Sequence, residues 1–223
     1  MSNWMILGTD TGAGKTIVTA ALAAYWLKYS QGSVAIYKPV QCGIGDQEDY
    51  RTIFAETLRV VVDQQFEAGI APPLAAAQVG KAVDLASLWQ TYQQLSAEQD
   101  LVLVEGVGGL GCPLTWDYTI GDLAHDWRVP ALLVAPIRLG AIGQLVASVG
   151  YARKLGLKLS GIILSEVTRD PGKDLADRNL IENLCQLPVM GVIPYLEDAQ
   201  DLEALACAAA GLWLEAIGWG TKR

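Results

Sequence analysis

The chain has 223 residues, of which 52% are hydrophobic, and its formal net charge at pH 7 is −8. This length and apolar content suit an α/β domain with a covered central sheet, so we expect residues 1–223 to form a single domain. The acidic balance argues against a surface for nucleic acids or anionic membranes, because binding to either relies on a basic face.

The cysteines and the single histidine indicate neither a zinc site nor a disulfide framework. Four cysteines are far apart along the chain, and only His125 could join them in a metal site. Widely spaced, reduced thiols are typical of cytoplasmic proteins. The apolar runs fall short of the roughly 20 residues that a membrane span needs. We therefore expect a cytoplasmic protein without a membrane or nucleic-acid partner.

Short aliphatic runs alternate with longer helical patterns along the chain. Strands that are apolar at nearly every position are buried on both faces. Their alternation with helices predicts a doubly wound, mainly parallel α/β sheet with helices on both faces. The predicted strands are Trp4–Leu7, Ser33–Tyr37, Leu101–Val104, Ala131–Ala135, Leu159–Leu164 and Val189–Ile193. The predicted helices cover residues 15–30, 49–62, 84–98, 141–155, 174–185 and 199–217.

The first strand is followed by GTDTGAGKT, residues 8–16, which has the character of a nucleotide phosphate loop. Gly12 and Gly14 leave room for the phosphates, Lys15 supplies charge and Thr16 supplies a hydroxyl for Mg²⁺. The segment is one residue longer than the usual spacing, because the first glycine is Gly8. With a buried strand before it and a helix after it, the segment predicts nucleotide binding in a fold of the P-loop NTPase type.

Charged residues also follow the next two strands, where a parallel sheet collects its ligands. Lys38, in YKPVQCG, is either a solvated charge or a second cation beside a transferring phosphoryl group. Glu105, in VEGVGG, is either an ordinary strand-end charge or a carboxylate that holds Mg²⁺. Asp46 and Asp49 come soon after Lys38, and either could add a metal ligand.

Together, GTDTGAGKT, YKPVQCG and VEGVGGLGCPL resemble the dethiobiotin synthetase family. The similarity continues in PIRLGAIGQL and LSGIILSEVTRDPG and covers about residues 5–197. The resemblance implies an ATP-dependent ligase of biotin biosynthesis. It would join CO₂ to 7,8-diaminononanoate, activate the carbamate with ATP and close the ureido ring of dethiobiotin. It also implies Mg²⁺ as cofactor and a homodimer with an intersubunit substrate site.

The resemblance also implies roles for individual residues. Lys15 and Lys38 would be catalytic, and Thr11 and Cys42 would contact the diamine. Mg²⁺ would be held by Thr16, Glu105 and one of Asp46 and Asp49. The residues expected to bind ATP are Gly12, Ala13, Gly14, Lys15, Thr16, Ile17, Glu105, Gly106, Val107, Gly108, Ser165, Glu166, Pro194, Tyr195 and Leu196.

Five positions depart from the family's pattern. Gly12 stands where some members have Glu, and Cys42 where Ser or Thr is more frequent. Ser165-Glu166 replaces the Asn-Asp that reads adenine in many members, and Ser cannot mimic a bidentate amide, which predicts relaxed nucleotide choice. Gly143 replaces an Asn in the turn expected to hold the substrate carboxylate, a role that backbone N–H groups could still fill.

Three other functions share parts of this pattern. Partitioning ATPases of the Min/Par type carry a lysine early in the phosphate loop, where this chain has Asp10. Amidotransferases of the cobyric-acid type usually continue into a glutaminase domain, for which 223 residues leave no room. A catalytically silent binding module would have no need of Lys15 and Lys38. His125 lies in a short helical stretch away from the strand ends, which favours packing over catalysis.

Overall fold

Seven strands and eight α-helices make up the regular part of the computed structural model, which describes residues 3–43, 45–172 and 175–219, without the side chains of residues 46–48. The strands are β1 (Trp4–Gly8), β2 (Val34–Cys42), β3 (Arg59–Phe66), β4 (Leu101–Glu105), β5 (Ala131–Pro136), β6 (Leu159–Ser165) and β7 (Val189–Ile193). The helices are α1 (Lys15–Tyr29), α2 (Asp46–Phe54), α3 (Pro72–Gln78), α4 (Leu85–Glu98), α5 (Ile120–Trp127), α6 (Ala141–Leu155), α7 (Arg178–Cys185) and α8 (Leu202–Ala210). A short 3₁₀ helix covers Leu214–Ile217.

All seven strands belong to one sheet in the order β3-β2-β4-β1-β5-β6-β7, and every pairing is parallel. The central strand β1 pairs with β4 on one side and β5 on the other. The strands β2, β3 and β4 lie on one side of β1, and β5, β6 and β7 lie on the other. Where the strand order reverses in this way, a crevice opens at the carboxyl end of the central strand, and such folds bind ligands there. The predicted doubly wound α/β fold is confirmed, and the sheet is wholly parallel.

Two apolar clusters cover the two faces of this sheet. Successive residues of β1 alternate between them: Met5 and Leu7 belong to one cluster, and Trp4 and Ile6 belong to the other. Because both faces are covered, β1, β4 and β5 are buried at every position. This explains why their sequences are continuous apolar runs rather than alternating ones.

The predicted helix over residues 49–62 is wrong in its second half. The structure ends α2 at Phe54 and places Arg59–Phe66 in β3, an edge strand paired with β2. Three consecutive valines, Val60–Val62, favour an extended backbone, because β-branched side chains fit a pleated surface better than a helix. The short helix α3, in the same part of the chain, has no counterpart in the prediction.

Three other boundaries also differ. The second strand runs on to Cys42, so Lys38 lies inside a strand rather than at its end. The helix predicted from residue 174 begins at Arg178, because the Asp177 side chain caps it by accepting the Leu180 N–H at 2.7 Å. The helix predicted over 199–217 is divided into α8 and the 3₁₀ helix. None of the helices in the described part of the chain is long and apolar enough to cross a membrane.

Candidate active site

The phosphate loop, residues 8–16, connects β1 to α1 at the carboxyl edge of the sheet. Gly14 is the N-cap of α1 and adopts the left-handed conformation, with φ of 90°. A Cβ atom at this position would lie 2.3 Å from the Ser165 hydroxyl oxygen, so only glycine fits. Because glycine has no side chain with which to cap the helix, the first N–H groups of α1 can serve a bound phosphate.

Lys15 is folded back over this loop. Its side chain is largely buried, and its Nζ donates to the backbone carbonyl of Asp10 at 3.0 Å. The Asp10 carboxylate forms an ion pair with Arg138, which also donates to the Gln144 side chain at 3.1 Å. Since Gln144 belongs to α6, Arg138 connects the phosphate loop to the helix that follows β5.

Glu105 lies at the centre of the site and is 1% exposed. Its Oε1 accepts from Lys38 Nζ at 2.8 Å and from the Thr16 hydroxyl at 3.2 Å. Its Oε2 accepts from the hydroxyl of Tyr50. Lys38 is itself 2% exposed, so the Lys38–Glu105 ion pair is a buried one. Such a pair is stable only when further hydrogen bonds satisfy the charges, as the hydroxyls of Thr16 and Tyr50 do here.

These groups surround a cavity of about 500 Å³, called the main cavity below. It brings together most of the predicted residues of the phosphate loop, both predicted catalytic lysines and both predicted diamine contacts. The lining residues that the sequence predicted are Thr11, Gly12, Gly14, Lys15, Thr16, Ile17, Lys38, Cys42, Glu105, Val107 and Gly108.

Three parts of the site were not predicted. Residues 69–72 form one wall of the main cavity, and Cys112 lies beside Gly108 in another. The segment 69–72 comes directly after β3, so its position could not be found once that strand was taken for a helix. Tyr50 was missed because it matches no motif, and only the packing of α2 brings its hydroxyl to Glu105.

The remaining predicted ATP contacts lie outside the main cavity. Ala13 is fully buried, and Gly106 is buried where its N–H donates to the Ile6 carbonyl at 3.0 Å. A second group lies at the carboxyl ends of β6 and β7, next to the phosphate loop. Its members are Ser165, Glu166, Pro194, Tyr195 and Leu196. Within it Ser165 is buried against Gly14, and the Glu166 carboxylate accepts the Tyr195 N–H at 3.1 Å.

The predicted metal ligands are only partly brought together. Thr16 and Glu105 are in contact, whereas the side chain of Asp46 lies outside the described residues. Asp49 is exposed on α2, immediately before Tyr50. In the part of the chain that the structure describes, no three His, Cys, Asp or Glu side chains lie close enough to hold a metal ion by themselves. Mg²⁺ requires fewer protein ligands than three, since it is usually held by one or two carboxylates together with substrate phosphates. Thr16 and Glu105 fit that requirement.

The two thiols of the main cavity are kept protonated at neutral pH. Burial raises the pKa of Cys42 to about 11, with a further rise from Cys112 and an opposing effect of Lys38. Burial also raises the pKa of Cys112, and Lys15 opposes the rise. Both side chains therefore act as small, weakly polar surfaces rather than as nucleophiles.

His125 lies away from the main cavity. It lines a second cavity of about 280 Å³ with Arg128 and Lys158, near the amino ends of β5 and β6. Ligands of a parallel sheet gather at the opposite edge.

Comparison with known proteins identifies the family. The AAA domain family matches residues 2–202. The ATP-dependent dethiobiotin synthetase BioD of Gloeobacter violaceus is 58% identical over 221 residues, which cover 98% of this chain and 96% of that protein. The enzyme of the same name from Bacillus subtilis strain 168 is 30% identical and aligns over 88% of each chain.

Solved structures with the same fold are more distant in sequence. A ParA family ATPase from Chlorobium tepidum superimposes with a TM-score of 0.61 at 13% identity, over 98% of this chain and 96% of that one. MinD from Aquifex aeolicus superimposes with a TM-score of 0.58 at 15% identity, over 93% of this chain and 87% of that one. Identities this low establish the fold alone, whereas the curated relatives align along nearly the whole chain. The chain therefore belongs to the family of ATP-dependent dethiobiotin synthetases.

Proposed function

We propose that this protein closes the ureido ring of dethiobiotin from 7,8-diaminononanoate and CO₂, converting ATP to ADP and phosphate. The observation that carries the proposal is the presence of Lys15, Lys38 and Glu105 around one cavity beside a phosphate loop. Two lysines beside a triphosphate supply the positive charge that stabilises a phosphoryl group during transfer.

The reaction has three steps. One amine attacks CO₂ and loses a proton, which gives a carbamate. A carbamate oxygen then attacks the γ-phosphorus of ATP, and ADP leaves, which gives a carbamic-phosphoric anhydride. The second amine attacks the carbonyl carbon of the anhydride and loses its proton as phosphate departs. Because a carbamate is a weak nucleophile, holding it in line with the phosphoryl group contributes much of the acceleration.

Both lysines line the main cavity, which supports a role for each in the reaction. We assign Lys15 to the β- and γ-phosphate oxygens and to the reacting carbamate, for which its ammonium moves from the Asp10 carbonyl. We assign Lys38 to the γ-phosphate, which it reaches by leaving Glu105. Both ammonium groups are largely shielded from water, so their charges act in a medium of low dielectric constant, where electrostatic stabilisation is strong.

Mg²⁺ belongs to the proposal because the donor set suits it. Thr16 and Glu105 would hold the ion, with either Asp46 or Asp49 as a further carboxylate. When bound, Mg²⁺ supplies charge neutralisation for the β- and γ-phosphates. The contact between the Thr16 hydroxyl and Glu105, 3.2 Å long, supports these two residues as neighbouring ligands.

The other substrate contacts follow from their positions. Thr11 and Cys42 line the main cavity and are assigned to the diamine. A thiol is a weak hydrogen-bonding group, so Cys42 contributes shape more than polarity. We assign the adenine to the group that follows β6 and β7. There Ser165 offers a single hydroxyl, which supports a less strict choice of base than a bidentate amide would.

We further propose a cytoplasmic homodimer in which each chain is a single domain. Support for the dimer comes from Leu139 and Val146, which are 84% and 40% exposed and flank the first turn of α6. Gly143 lies between them, in the turn where the family resemblance implies an intersubunit substrate site. The four cysteines are all free, which suits a reducing compartment.

The reaction is tested with purified protein, Mg-ATP, bicarbonate and 7,8-diaminononanoate. We expect phosphate release only when the diamine and the CO₂ source are both present, with dethiobiotin detected by mass spectrometry. Omitting each substrate in turn is the control. Phosphate release that does not depend on the diamine would contradict the proposal and favour a nucleotide-driven switch.

A further inference from the structure

Tyr50 is a buried residue of the site that no motif includes. It lies on α2, its side chain is fully buried, and its ring packs 6.5 Å from that of Phe54. Its hydroxyl donates to Glu105 Oε2 and lies 3.4 Å from the Thr16 carbonyl oxygen. A tyrosine hydroxyl buried among apolar side chains must find a partner, and this one finds the carboxylate at the centre of the site.

The two oxygens of Glu105 have different partners. Oε1 accepts from Lys38 and Thr16, and Oε2 accepts from Tyr50. In the proposed reaction Lys38 turns to the γ-phosphate and Thr16 to the metal. The proposed reaction assigns the Tyr50 hydroxyl no contact with substrate or metal, so its hydrogen bond to Glu105 can persist throughout. A hydrogen bond to a ligating carboxylate fixes its orientation and adjusts its affinity for the metal.

We propose that Tyr50 is a positioning residue that orients Glu105 for Mg²⁺ bound with the nucleotide. The inference rests on the proposed role of Glu105 as a metal ligand. It also gives α2 a function, because the helix that carries Asp49 is joined to the site through the neighbouring Tyr50. In this role Tyr50 acts only through Glu105, without a contact of its own to substrate or metal.

The test is the affinity of Tyr50→Phe for Mn²⁺ in the presence of ADP, measured by electron paramagnetic resonance. Phenylalanine keeps the ring and its packing on Phe54 and removes only the hydroxyl. We expect the Kd for Mn²⁺ to rise about 10-fold, as losses of such outer contacts do. The KM for Mg²⁺ should rise in parallel, while the KM for the diamine stays within twofold of the wild-type value.

Tyr37→Phe is the matched control. Tyr37 is also fully buried, in the apolar cluster on the other face of the sheet. Its hydroxyl oxygen lies 3.0 Å from the Asp63 carboxylate and 2.9 Å from the Leu88 carbonyl oxygen, the two acceptors for its one proton. We expect its Kd for Mn²⁺ to be that of the wild type. The comparison separates the contact with Glu105 from the general effect of removing a buried hydroxyl.

Three results would overturn the inference. The first is an unchanged Mn²⁺ affinity in Tyr50→Phe, and the second is an equal loss of Mn²⁺ affinity in Tyr37→Phe. The third is failure of Tyr50→Phe to fold, which would make the hydroxyl a structural group. Circular dichroism and ADP binding in EDTA monitor the fold. The Mn²⁺ measurement needs no turnover. A wild-type protein without ligase activity would therefore contradict the proposed function while leaving this result interpretable.

Discussion

Lys38 and Glu105 hold opposite charges 2.8 Å apart inside the protein, where water cannot screen them. Removing one partner of a buried pair leaves the other charge uncompensated, which typically costs about 3–5 kcal/mol. Thr16 and Tyr50 still donate to Glu105 if the lysine is lost. We therefore expect loss of the lysine to affect both the stability of the protein and its proposed reaction.

We expect Lys38→Ala to lower turnover by about 100-fold or more, because the γ-phosphoryl group loses a stabilising cation. ADP binding should be retained, since the phosphate loop and Lys15 remain. Phosphate release measures the first effect and calorimetric titration with ADP the second.

Lys28→Ala is the matched control for this variant, since Lys28 forms an exposed ion pair with Glu203 far from the main cavity. Its turnover should equal that of the wild type. Wild-type turnover in Lys38→Ala would remove Lys38 from the mechanism.

Individual residues were predictable where a motif fixes their spacing. Lys15, Thr16, Lys38 and Glu105 follow short apolar runs, and the structure places all four around one cavity. Tyr50 could not be found in this way, because its contact with Glu105 joins positions 55 residues apart and depends on how α2 packs. Chemistry that depends on tertiary packing leaves no local signal in one sequence.

At the scale of elements, the strand-loop-helix unit β1–α1 depends on the backbone of two glycines. Gly12 and Gly14 have φ values of 83° and 90°, a region that other residues enter at a cost of about 1–3 kcal/mol. Gly14 also packs against Ser165 at the end of β6, whereas a Cβ on Gly12 would meet no atom within 4 Å. The two positions therefore share the strain and differ in the steric clash.

Gly14→Ala should weaken ADP binding by at least about 10-fold, because the new methyl group must displace either the loop or Ser165. Gly12→Ala, which carries only the backbone strain, should weaken it less. The double variant Gly14→Ala/Ser165→Gly relieves the clash and should recover only part of the affinity, because it also removes the hydroxyl assigned to adenine. Calorimetric titration measures all three. Equal losses in the two single variants would show that strain, rather than the contact with Ser165, sets the requirement.

The helix predicted over residues 49–62, whose second half is replaced by β3, shows why some elements were predicted poorly. Short apolar runs do not distinguish a strand from a helix by periodicity alone. Arg59–Phe66 becomes a strand because β2 offers a free edge with which it pairs in parallel. That edge exists only in the folded sheet. The position of residues 69–72 in the wall of the main cavity depends on the same pairing, so it could not be predicted either.

At the scale of the molecule, one sheet supports both apolar clusters and the whole main cavity. The fold class followed from the alternation of buried strands and helices, because that alternation admits few other arrangements. The order of the strands did not follow, since pairing between β4, β1 and β5 joins distant parts of the chain. The likeness to ParA and MinD extends to this architecture and no further.

We expect the two faces of the sheet to unfold together, as a single domain should. Trp127 packs against one cluster, and Trp219 belongs to the other, with its ring 5.3 Å from that of Trp26. Both clusters share β1, β4 and β5, so neither can persist when those strands separate. Urea unfolding followed by tryptophan fluorescence and by far-UV circular dichroism should give coincident transitions.

Trp127→Phe and Trp219→Phe serve as controls, since each removes one of the chain's seven tryptophans and the two lie on opposite faces of the sheet. Within each variant, the fluorescence and circular dichroism midpoints should still agree. Two separated fluorescence transitions, of which each variant weakens a different one, would show that the faces are independent folding units.

The buried pair of Lys38 and Glu105 also bears on how this lineage can change. Apolar side chains of similar volume often replace a buried ion pair without loss of stability, whereas losing one partner is costly. Selection for folding alone would not preserve the pair, and selection for the reaction would. A descendant that obtained biotin from its surroundings would be free to exchange both residues together and keep the sheet intact. We therefore expect the joint presence of a lysine at position 38 and a carboxylate at position 105 to mark relatives that still perform the proposed reaction.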